Sequence, residues 1–118
     1  MSRLTFDEVS KTNFARCQRW HPGFPRDDDW SFADWSNALC GEAGELANVV
    51  KKIRRYQCGL IGELDPPISE LMLMLAAEVA DVFLYLDLLA AKAGIDLPHA
   101  IRSKFNEVSD RQGFPEKL

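Results

Sequence analysis

Residues 71–91 read LMLMLAAEVADVFLYLDLLAA, a run that is apolar on nearly every side when it is wound as a helix. A membrane-spanning helix needs about 20 such residues. This run, however, contains the acids Glu78, Asp81 and Asp87, and an acid at the centre of a bilayer costs about 2.5–3.5 kcal/mol on insertion scales. We therefore interpret the run as the central helix of a bundle or a dimer and not as a membrane span.

The remaining sequence also favours helices. No stretch alternates apolar and polar residues as a half-buried strand does. Ser31 and Asp34 have the spacing of a capping box, and Asp96 is a good N-cap residue. Gly94 and Gly113 are natural helix ends. The sequence predicts an all-α, four-helix bundle-like protomer, with helices over residues 6–20, 31–56, 68–93 and 97–110.

Composition limits the classes of function. A chain of 118 residues fits a single domain over residues 1–118. Its 14 basic and 18 acidic residues give a net charge of −4, which argues against a protein that binds nucleic acid polymers through their phosphates. The three cysteines contain no C-x-x-C pair, so we expect reduced thiols. The first residues have no apolar signal segment, which favours a cytoplasmic protein without a membrane partner.

Two acid pairs lie at or beside apolar helix faces. Each helical residue turns the chain by about 100°. Leu71, Val82 and Leu89 then fall within about 40° of Glu78, and Asp81 lies about 60° away. The second helix repeats the pattern. Glu42 lies among apolar residues and Glu45 is about 60° off on the flank. This spacing predicts one pair of carboxylates on each helix, at or beside its buried face.

An ionised carboxylate among leucines is costly unless it is paired or ligated, and four together repel one another. Mg²⁺ would relieve both costs, because it prefers carboxylate oxygens. The structural alternative is salt bridging to the nearby cations, which are Lys51, Lys52, Arg54 and Arg55. A di-iron site is a poor alternative, since it needs Glu-x-x-His motifs and both histidines lie outside the acid pairs.

Three motifs carry a resemblance to a known family. They are GEAGEL at residues 41–46, EVAD at 78–81 and KFNEVSDR at 104–111. Over residues 30–115 the chain resembles the MazG-like nucleotide pyrophosphohydrolases of the all-α NTP pyrophosphatase superfamily. Many members open the first motif with two adjacent glutamates, whereas this chain has Gly41 in the first of those positions.

The resemblance implies hydrolysis of a nucleoside triphosphate, preferably a deoxynucleotide, to a monophosphate and pyrophosphate. Such an enzyme cleans the nucleotide pool and uses Mg²⁺, with Mn²⁺ as a substitute. It also implies a homodimer or a dimer-of-dimers tetramer. The metal ligands would be Glu42, Glu45, Glu78 and Asp81. One of Glu42, Glu45 and Glu78 would act as general base for in-line attack by water.

Other residues are candidates for substrate binding. Lys104 and Arg111 lie about 20° apart on one flank of the last helix, where they would grip the outer phosphates or simply be solvated. Lys52 would reach the phosphates or neutralise Glu45. The remaining candidates are Asn106 near the phosphates, and Trp35 with Asn37 near the base or sugar.

Two other functions fit the same residues. A phosphoribosyl-ATP pyrophosphatase-like enzyme shares the acid chemistry that the resemblance implies. A non-catalytic helical dimerisation module would instead use the acids in structural salt bridges. Measuring pyrophosphate release from each substrate separates all three.

Overall fold

The computed structural model describes residues 2–118. Within that range the chain forms four α-helices and no β-strand, which confirms the all-α prediction. In chain order the helices are α1 (Phe6–Trp20), α2 (Phe32–Gln57), α3 (Ile68–Lys92) and α4 (Leu97–Gln112).

The predicted capping residues are confirmed at atomic detail, whereas α4 runs two residues beyond its predicted end at residue 110. Ser31 and Asp34 form a reciprocal capping box at the start of α2. The Asp96 carboxylate accepts a hydrogen bond from the His99 amide at 3.0 Å and caps α4. Gly94 follows α3 with a φ of 68°, in the left-handed region that glycine adopts without steric cost. A second capping box, between Thr5 and Glu8, begins α1.

The described chain divides into two compact units, and α3 contributes to both. One unit contains the residues up to Asp29 together with Ala90–Leu118, and the other contains Trp30–Leu89. We call them the terminal unit and the central unit. Both acid pairs belong to the central unit, whereas α4 belongs to the terminal unit.

Packing in the terminal unit centres on α1 and the loop that follows it. The rings of Phe14 and Phe24 meet edge to face with centroids 5.2 Å apart, and the peptide bond between Phe24 and Pro25 is cis. A Cβ atom at Gly23 would lie 2.7 Å from the carbonyl oxygen of Asp27, so this turn requires glycine.

One buried ion pair ties this loop to the end of α3. The Lys92 ammonium lies 2.5 Å from the Asp28 carboxylate, and the Asp28 side chain is fully buried. Both groups belong to the terminal unit.

The central unit is built from α2 and most of α3. Its most deeply buried side chains include Trp35, Val49 and Leu71. The Trp30 ring packs edge to face on Trp35, with ring centroids 4.8 Å apart. The ring centroids of Tyr85 and Trp35 are 6.4 Å apart. This aromatic group joins the beginning of α2 to α3.

The apolar run in α3 is only partly covered by its own chain. Leu71 and Leu88 are buried, but Met72, Leu73 and Val79 are each at least half exposed. Among the described residues, no helix combines the length and hydropathy that crossing a bilayer requires. The central position that the sequence predicts for this helix is therefore only partly reached within a single chain.

Candidate metal centre

The closest group of acids in the central unit joins α2 to α3. One carboxylate oxygen from each of Glu42, Glu78 and Asp81 lies within 4.8 Å of the other two. Glu42 comes from α2, and the other two come from α3 with the i, i+3 spacing that places them on neighbouring positions of one helix face. Helix periodicity and the packing of α2 against α3 thus bring three of the four predicted acids together.

Burial makes this cluster electrostatically costly. The Oε2 atom of Glu78 is buried and has no hydrogen-bond partner within the described part of the chain. Burial raises the pKa of Glu42 above its ordinary value, and the negative charges of Glu45, Asp81 and Glu78 raise it further. Glu42 and Glu78 are partly buried, whereas Glu45 and Asp81 are exposed.

The nearby cations do not neutralise the cluster. Within residues 2–118, no lysine or arginine forms an ion pair with any of the four acids. At the end of α2, Arg55 lies 4.0 Å from Asp65 in the following loop. Lys52, which the sequence placed beside Glu45, is partly buried and forms no ion pair within the same range. The salt-bridge alternative therefore has no support in this structure.

The donor set fits a hard divalent cation. It consists of carboxylate oxygens alone, which Mg²⁺ prefers over the nitrogen and sulfur ligands of zinc sites. The buried oxygen of Glu78 needs a positively charged or hydrogen-bonding partner, and the mutual repulsion at Glu42 would be relieved by added positive charge. Glu45 raises the pKa of Glu42 from outside the three-residue group.

The candidate phosphate ligands lie on α4 in the terminal unit. Lys104 and Arg111 are both exposed, and the same carboxylate lies between them. The Glu107 Oε1 atom is 2.8 Å from the Lys104 ammonium and 3.9 Å from the Arg111 guanidinium. Sequence reasoning missed Glu107, although its i, i+3 and i, i+4 spacing to these cations was a usable signal.

Asn106 binds the chain's own backbone. Its amide oxygen accepts a hydrogen bond from the Leu118 amide at 2.9 Å, and its amide nitrogen donates to the Leu118 carbonyl at 3.3 Å. Lys117 also binds the Asp110 carboxylate. The segment after Gly113 is thereby folded back along α4, so the Asn106 side chain is occupied by an internal contact.

The aromatic candidates separate into a buried and a more accessible residue. Trp35 is only 1% exposed and lies in the core of the central unit. Trp30, which packs on it, is half-buried. Asn37 is exposed on α2. Because stacking on a base needs an open ring face, Trp30 is better placed for it than Trp35.

The three cysteines are separate from one another in the structure. Cys17, Cys40 and Cys58 form no disulfide. Cys17 is buried, and this burial, together with the negative charge of Asp28, raises the pKa of its thiol to about 11. A thiol with so high a pKa is inert at neutral pH.

Curated proteins from mammals are similar to most of the chain. The mouse protein named dCTP pyrophosphatase 1 is 35% identical over 105 residues, which are 86% of this chain and 58% of that protein. The rat and human proteins of the same name are each 35% identical over 107 residues, with the same coverage. These similarities agree with the MazG-like resemblance of the three sequence motifs. No family profile matches the chain. The chain spans 58% of the length of these relatives.

Proposed function

We propose that the protein hydrolyses nucleoside triphosphates to a monophosphate and pyrophosphate in the presence of Mg²⁺. The observation that carries this proposal is the cluster of Glu42, Glu78 and Asp81 with its unpartnered buried oxygen. The relatives named dCTP pyrophosphatase 1 support the reaction and make dCTP the first substrate to test. We place the reaction in the cytoplasmic nucleotide pool, which it would clean of unwanted triphosphates.

The acids have two roles in this proposal. Glu42, Glu78 and Asp81, joined by Glu45, would hold Mg²⁺, with Mn²⁺ as a substitute. When bound there, the ion would offset the repulsion among the acids and attract the phosphate oxygens of the substrate. Without it, an acidic site would repel a triphosphate.

Glu45 is our preferred general base. It is exposed and lies outside the three-residue cluster, yet it is near enough to Glu42 to raise the pKa of that carboxyl. An ionised carboxylate in that position would accept a proton from the attacking water. Water would then add to phosphorus as the bond between the α and β phosphates breaks, and pyrophosphate would leave.

The remaining candidates would bind the substrate. Lys104 and Arg111 would hold the outer phosphates, and Lys52 would add a third positive charge. Asn106 would contribute only after releasing Leu118. Trp30, supported by the buried Trp35, would stack on the base, with Asn37 near the sugar.

A second copy of the chain is part of the proposal. Both long helices of the central unit expose large apolar side chains, including Phe32, Met72, Leu73 and Val79. Covering such residues with another copy would complete the burial of α3 that a single chain leaves unfinished. We therefore propose a homodimer or a dimer of dimers built around one catalytic domain.

A substrate panel tests the proposal. The protein is incubated with dCTP, the other deoxynucleoside and nucleoside triphosphates, and phosphoribosyl-ATP, each with Mg²⁺ and with a chelator. Pyrophosphate formed together with a nucleoside monophosphate, and only with metal, is the expected result. Pyrophosphate from phosphoribosyl-ATP alone would favour the related enzyme. No pyrophosphate from any substrate, and no effect of Mg²⁺ on the melting temperature, would favour the dimerisation module.

A further inference from the structure

One carboxylate oxygen on α4 is shared by two cations. Glu107 Oε1 lies 2.8 Å from Lys104 Nζ and 3.9 Å from an Arg111 guanidinium nitrogen. These residues are three and four positions from Glu107, so the helix itself sets this spacing. A small anion that binds both cations must place one of its own oxygens at this same position.

The contact is ionic and easily exchanged. The hydrogen bond and positive charge of Lys104 hold the pKa of Glu107 below its usual range, with a smaller contribution from Arg111. Glu107 is therefore ionised at neutral pH. All three side chains are more than half exposed, so water screens the pairs and the carboxylate is free to rotate away.

We propose that Glu107 is a built-in counter-ion that a substrate phosphate displaces from Lys104 and Arg111. This inference rests on the proposed function, in which these two cations bind the outer phosphates. A terminal phosphate carries more negative charge than a carboxylate and offers more acceptor oxygens, so it competes successfully for the same donors.

The exchange has a consequence for selectivity. Every anion must displace Glu107 before it can use both cations. A polyphosphate compensates for this cost through its additional charges, whereas a singly charged anion does not. Glu107 therefore weakens the binding of every anion at Lys104 and Arg111. Polyphosphates still bind there, because their additional charges offset this cost. In this way it acts as a specificity-determining residue through Lys104 and Arg111.

The test is the variant Glu107→Gln, which removes the charge and keeps the helix-forming side chain. We expect the KM for dCTP and the inhibition constant for inorganic pyrophosphate each to fall by about two- to fivefold, the size of an exposed ion pair. The value of kcat should not change. The matched control is Asp7→Asn, which removes one negative charge from an exposed position on α1 of the same unit.

A double variant shows whether the effect passes through the proposed partner. In a Lys104→Met background, Glu107→Gln should no longer lower either constant. An unchanged or increased inhibition constant in the single variant would overturn the proposal, and so would an equal gain in the Asp7→Asn control. A gain that persists without Lys104 would also overturn it.

Calorimetry with inorganic pyrophosphate and Mg²⁺ separates this proposal from the proposed function. If the wild-type protein hydrolyses no triphosphate but Glu107→Gln still binds pyrophosphate more tightly, the counter-ion is supported and the reaction is wrong. If the wild-type protein hydrolyses dCTP and Glu107→Gln matches it in KM, inhibition and binding, the counter-ion is wrong and the reaction stands.

Discussion

The acid cluster of the central unit differs in its surroundings from three acidic residues of the terminal unit. In the terminal unit, Asp28 is paired with Lys92, Glu107 with two cations on α4, and Asp110 with Lys117. In the central unit, three carboxylates converge, and no lysine or arginine among the described residues is paired with them. These three acids of the terminal unit have counter-ions from their own unit, whereas the described residues supply no lysine or arginine to the acid cluster of the central unit.

In our proposal this difference separates structural charge from functional charge. A buried pair such as Asp28 and Lys92 is retained because each partner compensates for the desolvation of the other. A cluster of like charges has no such internal compensation and is costly until something binds. The location of uncompensated charge is thus a better indication of function than the number of acids, since acids occur in both units.

The largest expected effect concerns the central cluster. Glu78→Gln keeps the shape of the side chain and removes its charge, so turnover should fall at least about a hundredfold while circular dichroism shows an intact helical protein. Glu70→Gln, an exposed position on the same helix, is the matched control and should retain activity. Full activity in amide variants of all four acids would refute their assignment.

The buried ion pair of the terminal unit should show the opposite kind of effect. Lys92→Met removes the ammonium that lies 2.5 Å from the fully buried Asp28 carboxylate and should lower the free energy of unfolding by about 3–5 kcal/mol in urea denaturation. Adding Asp28→Asn should recover part of that loss, because the buried negative charge is then removed. A double variant less stable than Lys92→Met alone would contradict this account.

Gly41 allows the comparison to be sharpened within α2. A Cβ atom there would meet nothing within 4 Å, so Gly41→Ala should stabilise the helix by about 0.5–1 kcal/mol. Gly41→Glu adds the carboxylate that the MazG-like resemblance leads one to expect there, and it should stabilise less because it adds charge beside the cluster. Mg²⁺ should reduce the difference in melting temperature between Gly41→Ala and Gly41→Glu. Gly44→Ala is the control, because a Cβ atom there also meets nothing within 4 Å. The same difference in melting temperature between the two Gly41 variants with and without Mg²⁺ would contradict the expectation.

The smallest expected effect is a pH-dependent change in stability. The pKa of Glu42 is raised by folding, so its protonated form stabilises the fold fully below the ordinary value of 4.5, and this contribution is lost as pH rises through the raised value. In metal-free protein, Glu42→Gln should therefore melt a few degrees higher than wild type at neutral pH and equally at lower pH.

Glu8→Gln is the control with the opposite sign. The hydrogen bonds from Thr5 lower the pKa of Glu8, so its ionised form stabilises the fold above the ordinary value and this stabilisation is lost as pH falls. That variant should melt lower than wild type at neutral pH. If both variants shifted the melting temperature in the same direction, the electrostatic explanation would be wrong.

The secondary structure was predictable almost residue by residue. The helix starts at Ser31 and Asp96 and the end at Gly94 follow from local chemistry, which does not depend on how the helices pack. The convergence of Glu42 with Glu78 was predictable only in part, because periodicity gives the face on which each acid lies but not its partner across space.

The roles of several polar residues were not predictable for the same reason. Asn106 looked like a substrate ligand, yet its amide binds Leu118, which lies twelve residues away along the chain. Trp35 looked like a base platform, yet the packing of Trp30 and Tyr85 buries it. Long-range contacts of this kind leave no periodic signal in a sequence.

The amino-acid sequence by itself determined the all-α class, the helix boundaries and the presence of two acid pairs on apolar faces, because each of these depends on neighbours within one or two helical turns. Only the tertiary structure decided that Glu42, Glu78 and Asp81 meet without a lysine or arginine from residues 2–118, while Glu107 has two such cations. That outcome depends on which side chains the packing of the helices brings together. The charge of a carboxylate destabilises the fold only when packing removes the water around it.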